Sequence, residues 1–187
     1  MYAATDQVVL VDHHDNPLGS LDKLSAHRQG RLHRAFSVML RDHHGRFLLQ
    51  RRALGKYHSG GLWSNTCCSH PRPGEALLAA GRRRLREEMG LDVALQCAFS
   101  FVYRTAFEDG LVEYEFDHVL SGHHDGEPRP DPAEAMDWRW ESGEVIERQM
   151  NDDPGCFTAW FTPVLHHLLA GSRGHLGEMV TPGGKSP

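Results

Sequence analysis

Nothing in this chain would cross a bilayer as a helix, since no stretch approaches the roughly 20 consecutive apolar residues a span requires. It also lacks a basic region followed by an apolar run at its start. Residues 1–6 read Met-Tyr-Ala-Ala-Thr-Asp, so no secretory signal is expected and the expected location is the cytoplasm. Positive charge is not in excess. Twenty Lys and Arg against 25 Asp and Glu leave a net charge of −5, which gives no support to a nucleic-acid or membrane-surface binder. Cysteine is scarce. There are four, and Cys67 and Cys68 are adjacent, a poor geometry for bridging. Without an export signal, thiols are expected to stay reduced and to serve chemistry or core rather than cross-links. Internal repeats are absent as well, and no break in composition marks a second domain.

What is present is an ordinary globular composition, 40% hydrophobic and 24% charged over 187 residues. That length suits one domain and can bury about 70% of its unfolded surface without staples. The unusual count is histidine, at 14. Many come as doublets beside Asp or Gly (His13-His14, His43-His44, His123-His124, His166-His167), where a solvated turn is the ordinary expectation.

Patterning predicts an N-terminal hairpin, with Val8-Val9-Leu10-Val11 and residues 18–21 on either side of an Asp12-to-Pro17 turn. A second, more apolar hairpin is expected over 34–41 and 46–51. Residues 53–66 read as a glycine-containing loop ending in a short strand. Leu77, Gly81, Leu85 and Met89 fall four apart in a helix expected from Glu75 to Met89, with Gly90 at its C′ position. Strands follow at 98–105 and 111–120, a polar loop at 121–134, a short strand at 137–140, and helices at 142–150 and 158–170. The Gly- and Pro-rich residues 171–187 are expected to form a disordered tail. The implied fold is α/β of the mixed α+β kind, a single domain over 1–170.

Three clusters carry chemistry. In Trp63-Ser64-Asn65-Thr66-Cys67-Cys68-Ser69-His70-Pro71, a thiol and an imidazole two apart sit just before the expected helix, where cations and a helix N-terminus would favour thiolate. The bland alternative is a buried thiol beside a surface histidine. In Val112-Glu113-Tyr114-Glu115-Phe116, the two carboxylates share one face of a strand. They repel unless a cation or proton lies between them, and a divalent metal is the usual remedy; an edge strand facing water is the alternative. His27 and His33 bracket a short basic segment. With His70 and the glutamates they could make a site suited to Mn²⁺, Zn²⁺ or Fe²⁺. Basic residues also gather at Lys23, Arg51, Arg52, Lys56, Arg82, Arg83, Arg84 and Arg86. Guanidinium groups fork onto phosphate oxygens. Helical ion pairs, Arg83 with Glu87 and Arg84 with Glu88, also fit the spacing.

The helix fits the spacing of the Nudix signature, G-x5-E-x7-R-E-U-x-E-E-x-G-U with U a bulky aliphatic residue. Here it runs from Ser69 through Glu75 to Arg83-Arg84-Leu85-Arg86-Glu87-Glu88-Met89-Gly90-Leu91. Ser69 replaces the first glycine, and Arg84 replaces a glutamate of the metal nest. Such a change weakens metal binding and adds a phosphate clamp. Together with Lys23-Leu24-Ser25-Ala26-His27, Arg31-Leu32-His33-Arg34-Ala35-Phe36, Arg51-Arg52-Ala53-Leu54, Tyr103-Arg104 and Trp160-Phe161, the chain resembles the type 1 isopentenyl-diphosphate delta-isomerase family from about Val8 to Leu169.

The resemblance implies a Nudix-like mixed β-sheet sandwiched between helices with an N-terminal hairpin extension, and interconversion of isopentenyl and dimethylallyl diphosphate. By position it implies Cys68, Glu115, Tyr103 and Trp160 as catalytic residues, with the N-terminal segment closing over the substrate. Lys23, Arg52, Lys56 and Arg84 would contact the diphosphate, with Glu88 holding a Mg²⁺ that bridges to it. A second ion, Mn²⁺, Zn²⁺ or Mg²⁺, would sit on His27, His33, His70, Glu113 and Glu115. The implied partner is a small isoprenyl diphosphate, and a monomer is expected, with a dimer as the alternative. A Nudix hydrolase of nucleoside or other diphosphates and a non-catalytic metal-binding module are the competing readings.

Overall fold

The computed structural model describes residues 6–56, 58–107 and 110–174, with side chains as far as residue 170. Nine strands lie in one mixed sheet. The N-terminal hairpin is β1 (Gln7–Val11) and β2 (Pro17–Asp22). After helix α1 (Lys23–Gln29) come β3 (His33–Arg41) and β4 (Phe47–Arg52). Short strands β5 (Trp63–Ser64) and β6 (Cys67–Ser69) precede helix α2 (Leu77–Met89). Long strands β7 (Gln96–Ala106) and β8 (Val112–His123) and then β9 (Ala135–Glu141) complete the sheet. Helices α3 (Gly143–Asp152) and α4 (Phe161–Gly174) close the chain.

Strand β3 is the hub. It runs parallel to β8 from His33 opposite Glu115 to Arg41 opposite His123. It is antiparallel to β6 over Phe36–Val38, and meets β1 and β4 at its two ends. A strand covered on both faces must be apolar almost throughout, and Ala35–Leu40 are all buried. Alternation sends Phe36, Val38 and Leu40 toward Leu85 and Met89 of α2. Met39 goes the other way, toward Ile146, Phe161 and Leu165 of α3 and α4. Helices therefore cover both faces, as expected. Burying each such side chain stabilises the fold by about 1.5–3 kcal/mol.

Gly81 lets α2 lie against the sheet, because a Cβ there would meet Leu120 Cδ1 at 2.6 Å. Gly90 ends the helix in the left-handed conformation at φ 67°, where its N–H donates to Arg86 O. The helix begins two residues later than the spacing predicts. Ala76 is still extended, and Glu75 turns back to accept from Arg72 N and Arg83. Helix α1 is an addition, because seven residues give too short a period to read. Both its ends are capped: Asp22 accepts from Ser25 N, and Gly30 closes the end at φ 57°. Strand β8 outruns its expected end at residue 120, since β3 offers partners as far as His123. Helix α4 continues through Gly174, four residues into the expected tail; residues 175–187 lie outside the described residues. No helix among the described residues is long and apolar enough to cross a membrane.

Candidate active site

The register of β3 builds the site. His33 is the direct partner of Glu115 on β8, and Tyr103 on β7 is Glu115's partner on the other side. Ser37, four residues along β3, is opposite Cys68 on β6. Side chains of Ser37, Cys68, His70, Tyr103, Glu113 and Glu115 therefore line one cavity of about 380 Å³. Lys23 from α1, Arg52 and Lys56 from β4 and its loop, Arg84 and Glu88 from α2, and Trp160 complete it. His27 and His33 lie just behind, buried at the ring cluster.

At the cluster, His27 Nε2 and His33 Nε2 are 3.2 Å apart, as are His33 Nε2 and His70 Nε2. His70 Nε2 is 2.9 Å from Glu115 Oε1, and His33 Nε2 is 3.5 Å from it. Arg31 O accepts from His33 Nδ1 at 2.8 Å, which puts the proton there and leaves Nε2 with a lone pair. Three imidazole nitrogens and a carboxylate converge on one point, with ligand atoms all within 4.8 Å of one another. Burial lowers His27 to about 2 and His70 to about 4, so both are neutral ligands at pH 7. This donor set fits a divalent metal.

Glu113 stands outside that mutual cluster. Its Oε1 is 3.0 Å from His58 Nε2, and its Oε2 accepts from the Tyr103 hydroxyl at 3.2 Å. The five-ligand expectation thus becomes a compact four-ligand group with Glu113 beside it. Tyr103 also donates to Glu115 Oε2 at 2.6 Å. Burial pushes Glu115 up, but the neighbouring His33 and His70 imidazoles outweigh it and hold the carboxyl well below its usual range. Burial and the Glu115 charge raise Glu113.

Cys68 lies on strand β6, nine residues ahead of α2, and the expected thiolate is corrected. Burial raises Cys68 to about 12 despite the Arg52 guanidinium, whose Nη1 is 3.9 Å from Sγ. Cys67 points the other way into the core, fully buried. Trp160 is buried, and its Nε1 donates to Asn65 Oδ1 at 3.1 Å.

The opposite end of the cavity is ionic. Arg84 binds Glu88 Oε1 at 2.6 Å, Glu87 Oε2 at 2.8 Å and Glu134 Oε1 at 3.3 Å, and Lys56 pairs with Glu134. Both helical pairs expected from spacing are present, since Arg83 reaches Glu87 at 3.2 Å. The Nε of buried Arg52 finds no partner among the described residues. A buried donor of this kind suits an anionic ligand. Lys23 sits on the same wall as Asp6, Gln7 and Val8, so the N-terminal segment already borders the cavity.

Sequence reasoning missed Glu134, His58 and Asp117. Glu134 stands in a polar loop with no periodic signal. His58 is one histidine among many in a glycine loop. Asp117 could have been found, because the two-residue alternation of Glu113 and Glu115 continues to it. It is buried, accepts from Ser37 Oγ at 2.8 Å, and burial and the Glu115 charge raise it to about 8.

Residues 31–161 match the family described as NUDIX domain. The chain is 54% identical over 165 residues to isopentenyl-diphosphate Delta-isomerase 2 of Aromatoleum aromaticum, covering 88% of this chain and 87% of that one. It is 51% identical over 169 residues to isopentenyl-diphosphate Delta-isomerase of Burkholderia multivorans, covering 86% and 96%. Among solved structures, DR0079 from Deinococcus radiodurans aligns with TM-score 0.73 at 20% identity, covering 86% and 98%. The MutT protein of Methanosarcina mazei aligns at TM-score 0.64 and 18% identity, covering 76% and 96%. These structural likenesses speak to the fold alone.

Proposed function

The chain belongs to the isopentenyl-diphosphate Delta-isomerase family on a NUDIX fold and interconverts isopentenyl and dimethylallyl diphosphate in isoprenoid biosynthesis, and from that premise we propose that Cys68 and Glu115 carry its two proton transfers. An unactivated alkene is a feeble base. Its protonation needs a placed acid in a site closed to water, since water would trap the cation as an alcohol. A proton added to the terminal methylene leaves a tertiary cation. Loss of a proton from the neighbouring methylene, on the diphosphate side, moves the double bond. One group must give and another receive.

The observation that supports this assignment best is that Cys68 and Glu115 line one cavity from different strands and rest in opposite protonation states. The thiol keeps its proton, and the carboxylate is ionised and braced by Tyr103. General acid–base help of this kind is worth about 10²–10⁴-fold. Trp160 presents an aromatic face to the cation, worth about 2 kcal/mol when desolvated. Arg52, Lys56 and Arg84, with Lys23, bind the diphosphate and set the alkene between the two carriers. A divalent ion on His27, His33, His70 and Glu115, when bound, would neutralise charge and tune the acidity of Glu115. Glu88 would share a Mg²⁺ with the diphosphate.

The test is incubation with labelled isopentenyl diphosphate and Mg²⁺ in D₂O, followed by NMR. Dimethylallyl diphosphate carrying deuterium is expected. Release of phosphate would instead mark a hydrolase, and metal uptake without turnover a binding module.

A further inference from the structure

His58 is a second histidine-borne element of the site, outside the metal cluster. Its side chain is 6% exposed, although it lies in the loop between β4 and β5. The ring stacks on Phe107 at 4.8 Å and 23°, and meets Trp160 edge-on at 5.8 Å and 89°. Its Nε2 lies 3.0 Å from Glu113 Oε1. A carboxylate acceptor fixes the proton on Nε2, which leaves Nδ1 to accept from the Ser59 hydroxyl at 3.2 Å. Ser59 holds a left-handed backbone, φ 52°, which side-chain-bearing residues rarely adopt. Strain of that sort persists where surrounding contacts impose it, and it clusters at functional sites. The His58 carbonyl also accepts from Arg52 Nη2 at 3.4 Å.

We infer that His58 is a positioning residue for the isomerisation: it holds the Glu113 carboxylate through Nε2–H and sets the Trp160 ring through its edge. The inference rests on the function proposed above. Among the described residues His58 is the partner of Glu113 Oε1, while Tyr103 serves only Oε2 and is shared with Glu115. His58 therefore ties the loop that carries Lys56 to both the acidic strand and the aromatic wall. Partners of this type, one bond removed from the reacting groups, alter activity by about 10–100-fold when changed.

Two variants separate the ring from the donor. His58→Phe keeps the stacking and loses the Nε2–H. His58→Gln keeps an amide donor at nearly the same place and loses the ring. The expected result is a fall in kcat of about 10–100-fold for His58→Phe with KM little changed, and partial recovery in His58→Gln. Thermal melting and metal content of the isolated proteins are measured alongside, and both are expected to stay near wild type. Wild-type kcat in His58→Phe would overturn the inference. So would equal losses in both variants that follow the fall in melting temperature, since those would mark a purely structural residue. Wild-type protein is assayed in parallel: failure of the wild type to convert isopentenyl diphosphate would strike the function itself, and not His58.

Discussion

The two ends of the cavity handle charge in opposite ways. At one end, His27, His33, His70 and Glu115 lie on or against the central strands. Burial keeps the His27 and His70 imidazoles neutral there, and the imidazoles beside Glu115 outweigh its burial and keep the carboxylate ionised. At the other end, Lys56, Arg84, Glu88 and Glu134 form ion pairs with one another. The first arrangement holds a proton inventory still. The second is a set of ion pairs that an incoming diphosphate can enter by exchange, because phosphate oxygens offer the same cations what the glutamates do. On the assignment proposed above, chemistry belongs to the first end and affinity to the second, so damage to each should register in a different kinetic constant.

The largest effect should come from the first end. Cys68→Ala should lower kcat by about 10²–10⁴-fold, while Cys67→Ala, one residue away on the core side, should leave kcat nearly unchanged. Steady-state assay of both with labelled substrate checks this, and equal behaviour would mean that the wrong thiol faces the substrate. Glu115→Gln should lower kcat by about 10²–10³-fold, and metal analysis should show weaker uptake. Lys56→Ala, at the ionic end, should raise KM by about tenfold with kcat largely kept. Similar effects on kcat from both ends would break the division. Glu134→Gln sharpens it in the other sense. Burial raises the Glu134 carboxyl, but Lys56 and Arg84 outweigh that and keep it ionised. Removing its charge frees two cations, so KM and the Kd for inorganic diphosphate should fall by about threefold. A rise would instead give Glu134 a role in holding Mg²⁺.

The smallest effect is on stability. His27 and His70 have folded values below the ordinary 6.5. Below pH 6.5 the unfolded chain therefore binds protons that the folded one refuses, and stability falls as pH falls. The loss grows down to about pH 4 for His70 and about pH 2 for His27. Metal-stripped protein should lose several degrees in Tm between pH 7 and pH 5. A flat profile would place these imidazoles in water.

Much of this was legible in the sequence, for identifiable reasons. The strands were visible where burial on both faces produced apolar runs, as in β3 and β4, and α2 where its four-residue spacing and Gly90 agreed. The Glu113 and Glu115 pairing followed from alternation alone. What remained hidden depended on tertiary placement. The shift of Cys68 to about 12 needs its burial, whereas its neighbours in the sequence pointed toward a helix end. Glu134 and His58 act through partners 78 and 55 positions away respectively, and no local pattern encodes such contacts.

Strand β3 has one further consequence, and it concerns time. Cys68, His33 and Glu115 are spaced by the backbone ladders that flank β3 on both sides. Amides in such a position exchange with solvent only when the whole domain opens. Side chains change rotamer in nanoseconds, but the separation of the strands that bear them should endure as long as the native state itself. If Cys68 and Glu115 carry the protons as proposed, the enzyme has no assembly step to repeat for them on each turnover. Any slow motion that limits its rate should arise in α1 and the segments that flank it, and relaxation measurements should find the β3 and β8 amides silent while those of α1 are not.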